Sequence, residues 1–136
     1  MSDLKTTYFP NLENVKKAAD TLKGIAALTP LLPSLSYSRS LGANILLKRE
    51  DLQQVRSYKI RGAFNKISSL SQEDRDKGIV CASAGTHAQG VAYACAKLKI
   101  NGTIFMPAPT PNQKTEQVKC HKEIQKTLMA KKPYLI

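Results

Sequence analysis

Two short stretches of the chain hold residue types that could carry out chemistry together. In Ser57-Tyr58-Lys59-Ile60-Arg61-Gly62-Ala63 a lysine stands two residues after a serine, in a loop that leads into a helix. A lysine so placed can act as a Schiff-base nucleophile, because the positive end of a helix dipole disfavours the ammonium and promotes the neutral amine. The second stretch, Ser83-Ala84-Gly85-Thr86-His87-Ala88-Gln89-Gly90, joins a strand-like run to a helix-like one. Free backbone N–H groups and hydroxyls at a helix start suit an anion such as a carboxylate or a phosphate. Each stretch also has an ordinary reading. A lysine near a helix start is commonly a solvated charge, and Gly-containing strand–helix turns arise for geometric reasons alone. His87 taken singly reads as a packing or capping residue more readily than as a base.

The elements that must position these residues follow from periodicity. Leu12, Val15, Ala18, Ala19 and Leu22 fall at helical spacing, and Gly24 follows as a stop. Thr29-Pro30-Leu31-Leu32-Pro33 reads as a break, since residues before proline avoid the helical region. Residues 34–41 predict a short helix ended by Gly42, and 44–48 a buried strand. Ile60, Phe64, Ile67 and Leu70 mark a helix beginning near Lys59. Ser71 with Asp74 three residues on reads as an N-cap. Residues 79–83 and 103–106 predict two further strands, with a helix of small residues over 88–98 between them. Thr110-Pro111-Asn112-Gln113 predicts a capping box that opens one more helix.

Alternating strands and helices with apolar strands imply an α/β fold, an open parallel sheet with flanking helices on both faces. Ligands of such sheets sit at the carboxyl ends of strands, here the loops after Lys48, Ser83 and Met106. After Val118 the helical pattern stops, since His121 and Lys122 occupy positions where apolar residues are expected. Residues 120–136 thus read as an off-pattern basic tail, and a parallel sheet ending here would keep an open edge and an unfinished core. The expectation is a chain cut short, as a frameshift or a truncated gene would produce.

Composition narrows the classes further. With 136 residues there is room for one domain of ordinary size, and 42% apolar against 23% charged residues reads as globular. No apolar run approaches the ~18–20 residues of a bilayer span, and the first residues lack the pattern of a secretory signal. Cys81, Cys95 and Cys120 form no CxxC pair and no metal-like spacing, which sets aside a disulfide framework or zinc site and fits a reducing cytoplasm. The net charge of +11 raises nucleic acid as a partner. The excess is spread along the chain, however, and no basic run is interleaved with aromatics, so no specific nucleic-acid partner is expected.

Taken together, the two motifs are far more specific than either alone. The sequence resembles the fold-type II pyridoxal-phosphate enzymes, and within them the threonine dehydratases (threonine ammonia-lyases), from about Tyr8 to Lys119. Residues 57–63 match the signature around the cofactor-binding lysine, and residues 83–90 the substrate and cofactor loop. Lys48-Arg49-Glu50-Asp51-Leu52-Gln53, with Val55 and Arg56, is similar to the biosynthetic threonine branch. The resemblance implies a tryptophan-synthase-β-like fold, incomplete here, with residues 1–119 as the N-terminal part of the catalytic domain.

By that resemblance Lys59 would hold pyridoxal 5'-phosphate covalently and, once freed by the substrate amine, would remove the Cα proton. The cofactor ring would act as electron sink, hydroxide would leave from Cβ, and threonine would yield 2-oxobutanoate and ammonia, in isoleucine biosynthesis. Ser83, Ala84, Gly85, Thr86 and His87 would bind substrate, with Thr86 also contacting the cofactor's phenolic oxygen. Thr86 stands where the family has Asn, a shorter arm with one donor in place of two. The family's Gly-rich phosphate cup has no counterpart in these residues, so weak or no activity is expected of this chain alone. The resemblance further implies an amino-acid substrate, threonine or serine, no metal, and homo-oligomeric full-length relatives. Two alternatives stay open: a degenerate, non-catalytic homologue acting as an interaction module, and a basic domain that binds nucleic acid non-specifically.

Overall fold

The structure is a computed structural model that describes residues 9–130, with side chains described through residue 124. The expectations for Tyr8, for the first residues and for 131–136 lie outside the described residues.

Local hydrogen bonds set most helix ends. Helix α1 (Leu12–Thr21) opens on a capping box in which Asn11 and Asn14 each accept the other's backbone N–H, at 2.9 and 3.0 Å. Its predicted stripe is only partly used: Leu22 is buried, whereas Leu12 and Val15 are exposed. Helix α2 (Leu35–Leu41) ends on Gly42 at φ 61°, a left-handed C-cap as predicted. Helix α4 (Gln72–Asp76) is capped by Ser71, whose hydroxyl accepts from the Asp74 N–H at 3.1 Å.

The strands differ from expectation in partnership. Leu46–Lys48 (β2) pairs antiparallel with Leu31–Pro33 (β1) in a sheet of its own, with Leu32 opposite Leu47. The Thr29–Pro33 stretch is therefore a strand and not merely a break. Its prolines sit beside or at the end of a three-residue edge strand, where fewer ladder donors are required. Ladder bonds from Ser34 N–H to Ile45 O and from Arg49 N–H to Pro30 O close the pair at 2.9 and 3.0 Å.

The parallel sheet has strand order β3-β4-β5, from Ile79–Ala82, Gly102–Pro107 and Ile124–Ala130. Its third strand lies in the segment expected to be pattern-free, where the backbone of 124–130 pairs with β4. Helix α5 (Thr86–Leu98) links β3 to β4, and α6 (Asn112–Lys119) links β4 to β5. With strands in sequential order, two right-handed crossovers put both helices on one face. Strand β4 accordingly alternates buried and half-buried residues, and Val80 on β3 is 72% exposed. Among the described residues the sheet is covered on one face, not on both.

The core gathers Ala63, Phe64 and Ile67 of α3 (Lys59–Ser68), Val91, Ala92 and Cys95 of α5, Ile104 and Met106 of β4, and Val118 of α6. Full burial of each of the larger side chains contributes roughly 1.5–3 kcal/mol. The Thr110 capping box does not form. The Thr110 hydroxyl donates to Pro107 O at 2.6 Å, inside the bend after β4, and α6 starts after Pro111 without a side-chain cap.

Candidate active site

Lys59 is the first residue of α3. Its backbone N–H donates to the Ser57 hydroxyl at 3.2 Å, so the serine beside the lysine works as a local turn former. Its amine pairs with no acidic side chain among the described residues. In the loop before it Val55 is buried and Arg56 has φ 52°, in the left-handed region. That conformation costs a residue with a side chain roughly 1–2 kcal/mol.

Helix α5 passes close to Lys59 at Gly90. A Cβ on Gly90 would lie 3.2 Å from the Lys59 carbonyl oxygen and 3.3 Å from its carbonyl carbon, so any side chain there would push the two backbones apart by a few tenths of an ångström. Gly90 is one turn into the helix from Thr86, roughly 6 Å along its axis. The packing therefore brings the backbone of Lys59 to within about one turn of the start of α5.

At that start the chain leaves β3. Ser83 N–H extends the ladder by donating to Phe105 O at 3.0 Å, and Gly85 N–H donates to the Ser83 hydroxyl at 3.3 Å. Gly85 is the N-cap and Thr86 the first helical residue, two positions earlier than periodicity predicted. Ser83, Gly85 and Thr86 are half-buried, while Ala84 and His87 are exposed. The N–H groups of Thr86, His87 and Ala88 precede the first in-helix bond, from Gln89 N–H to Gly85 O at 3.4 Å, and face an end of the helix that favours negative charge. The donor set suits a group that carries an aldehyde and anionic oxygens: an amine able to condense, hydroxyls, and amide N–H groups.

A polar cluster flanks Lys59 that residue types alone did not single out. Glu50, in the 3-10 turn Glu50–Leu52, accepts from Arg61 Nε and Nη2, both at 2.9 Å, and from the Thr29 hydroxyl at 2.6 Å. Gln53 accepts from Ala27 N–H and donates to Ala27 O, each at 2.9 Å, and reaches Glu50 Oε2 at 3.2 Å. Arg61 Nη2 also donates to Ala27 O at 3.2 Å, and the Lys48 amine donates to Thr29 O. The Arg61 guanidinium, outweighing partial desolvation, holds the Glu50 carboxyl down at about 2, and Glu50 in turn raises Arg61. Glu50 and Gln53 lie in the Lys48–Gln53 stretch and Arg61 in the 57–63 stretch that carry the resemblance, but nothing in their spacing shows that they pair.

A cavity of about 290 Å³ lies between the 54–56 loop, Gln89 and Tyr93 of α5, and Gln117 of α6. Lys59 and residues 83–87 do not line it, so it is separate from the site above. Cys81 and Cys95 are buried free thiols, and burial with the nearby Cys81 and Glu123 pushes Cys95 up to about 11, which removes it as a nucleophile. Among the described residues no three His, Cys, Asp or Glu side chains converge as a metal site, and no helix is long and apolar enough to cross a membrane.

Residues 23–124 match the family described as pyridoxal-phosphate dependent enzyme. The chain belongs to that family. It is 54% identical over 108 residues to the biosynthetic L-threonine dehydratase IlvA of Halalkalibacterium halodurans, covering 79% of this chain and 26% of that protein. Among solved structures, threonine deaminase isoform 2 from Solanum lycopersicum superposes with a TM-score of 0.73 at 37% identity, over 93% of this chain and 36% of that one. Maize serine racemase superposes with a TM-score of 0.80 at 30% identity, over 91% and 38% respectively. The chain thus spans about a quarter of the length of the curated relatives it matches.

Proposed function

We propose that Lys59 and the Ser83–His87 turn form the amino-acid and cofactor end of a pyridoxal-phosphate lyase site, with threonine as substrate and 2-oxobutanoate and ammonia as products. The observation that supports this reading is the close approach of Gly90 to the backbone of Lys59, about one helical turn from the start of α5. Bound there, pyridoxal phosphate supplies an electron sink for charge developing at the substrate Cα. Lys59 holds the cofactor through its amine and, when that amine is free, takes the Cα proton at Nζ. The N–H groups at the start of α5, with the Ser83 and Thr86 hydroxyls, hold the substrate carboxylate against the positive end of the helix. His87, exposed on the same turn, completes that carboxylate-binding rim. Serine is the second substrate by the same chemistry, since it also carries a β-hydroxyl. The reading includes a cytoplasmic setting, homo-oligomeric assembly, and a catalytic-domain part over 1–119 followed by a basic segment over 120–136.

The test is reduction with borohydride in the presence of pyridoxal phosphate, followed by location of adducts by mass spectrometry. A single adduct at Lys59 at low cofactor concentration supports the reading and leads to an assay of 2-oxobutanoate release. Labelling scattered over the lysines overturns it. Thr86→Asn lengthens the polar arm on the first turn of α5, and should lower the cofactor concentration at which Lys59 is half labelled; no change would refute the role given to position 86.

A second reading rests on exposed apolar side chains. Leu28 is 95% exposed, and Leu35, Leu41 and Val80 are also open to solvent, apolar side chains that association with another chain would cover. Cooperative unfolding without cofactor, together with concentration-dependent association, would favour it.

A further inference from the structure

We infer that Glu50, Gln53 and Arg61 are positioning residues that lock the first turn of α3 and thereby fix where Lys59 presents its amine, an inference that rests on the reading of Lys59 as the cofactor lysine. The argument starts from a local misfit. Arg61 sits in the first turn of α3, where a cation opposes the helix dipole, and that turn contains no acidic residue. Arg61 is therefore poorly placed to stabilise its own helix. Its guanidinium instead reaches a carboxylate eleven positions earlier, and Glu50 supplies from outside the negative charge the turn lacks. The pair is bidentate, so it fixes orientation as well as distance.

The other contacts make the lock rigid. Thr29 is 4% and Gln53 2% exposed, so water competes little for their bonds to Glu50. Gln53 pairs with both backbone groups of Ala27, as a strand neighbour would, and so anchors the loop that follows it. That loop must keep Arg56 left-handed, and Arg56 N–H donates to Gln53 O at 2.8 Å. A strained residue persists only where its surroundings over-determine it, and here the anchor lies at both ends of the loop, at Gln53 and at Arg61. From the opposite side Gly90 brings α5 against the Lys59 carbonyl. Lys59 thus lies between a charged clamp two residues on and a close backbone contact with α5.

Two measurements on the full chain test this, with Glu50→Gln, Arg61→Gln and Arg61→Lys. Amide hydrogen exchange read by mass spectrometry should rise about tenfold or more in 57–61 of Glu50→Gln, with α5 and β4 unchanged, because the loss is local to one charge-assisted clamp. In the borohydride experiment the share of label at Lys59 relative to the other lysines should fall about fivefold or more, as expected when a reacting group is misplaced. Arg61→Lys, which keeps the charge and loses the fork, should behave like Arg61→Gln in both readouts. Should Glu50→Gln not fold, Thr29→Val removes a single donor and should give a milder copy of the same pattern. Unchanged exchange at 57–61, or an even loss of protection across the chain with the Lys59 share intact, would overturn the positioning role. If the unaltered chain shows no preference for Lys59, the cofactor-lysine reading fails. Even then, unchanged exchange at 57–61 refutes the lock, whereas the local rise upholds it.

Discussion

Replacing Gly90 with alanine tests the contact on which the proposed site rests. The added Cβ would stand 3.2 Å from Lys59 O, 3.3 Å from Lys59 C and 3.4 Å from Ile60 N, whereas relaxed carbon contacts lie at about 3.5–4.0 Å. The atoms it meets are backbone, and neither helix can yield easily, since Ile60 and Ala92 are fully buried on either side. Overpacking of this kind costs about 1–3 kcal/mol, while alanine gains about 1 kcal/mol over glycine in helix propensity. The net loss is then roughly 1 kcal/mol, a fall of about 4 °C in Tm for a chain of this size. The more telling effect is on Lys59, whose carbonyl must move by a few tenths of an ångström. Thermal unfolding followed by circular dichroism, with borohydride labelling of the same sample, should show a small stability loss and a several-fold smaller share of label at Lys59. Gly62→Ala is the control, because nothing lies within 4 Å of its added Cβ: it should stabilise α3 by about 1 kcal/mol and leave labelling alone. If Gly90→Ala labels Lys59 as selectively as Gly62→Ala does, the close approach does not position the lysine.

Two further predictions concern the clamp and its loop. Glu50 titrates at about 2 in the folded chain against 4.5 when unperturbed. A depressed carboxyl contributes stability that is present above the unfolded value and lost as pH falls through the folded one. The urea midpoint should therefore drop between about pH 4.5 and pH 2, and Glu50→Gln should flatten that slope; an unchanged slope would mean the clamp contributes nothing to acid stability. Arg56→Gly relieves the left-handed strain at φ 52° and should raise stability by up to about 1 kcal/mol in a denaturant titration, whereas Arg56→Ala keeps the strain and should not raise it.

Much of the site was legible because it is local. Lys59 at a helix start, the Gly85 start of α5, the Ser71 cap and the Gly42 stop each depend on bonds within four residues, and residue type with spacing is enough to place them to within a residue or two. The same reading failed where two segments had to choose one another. Residues 44–48 carry a strand pattern that is equally good for a parallel or an antiparallel neighbour, and only the fold pairs Leu46–Lys48 with Leu31–Pro33. Thr110 looks like a cap by spacing, yet its hydroxyl is spent on Pro107 O once the bend after β4 closes.

The sequence by itself determined the chemistry available: one lysine opening a helix, hydroxyls and amide groups opening another, and stretches that match the pyridoxal-phosphate dependent family. Tertiary structure alone decided that the start of α3 packs within about one turn of the start of α5, through a glycine whose absent side chain is visible only against the backbone of Lys59. It decided likewise that Glu50 and Arg61 form the clamp beside it. Periodicity reports which face of an element is buried, but a contact between distant segments closes a loop, and its partner is chosen by the packing of the whole chain.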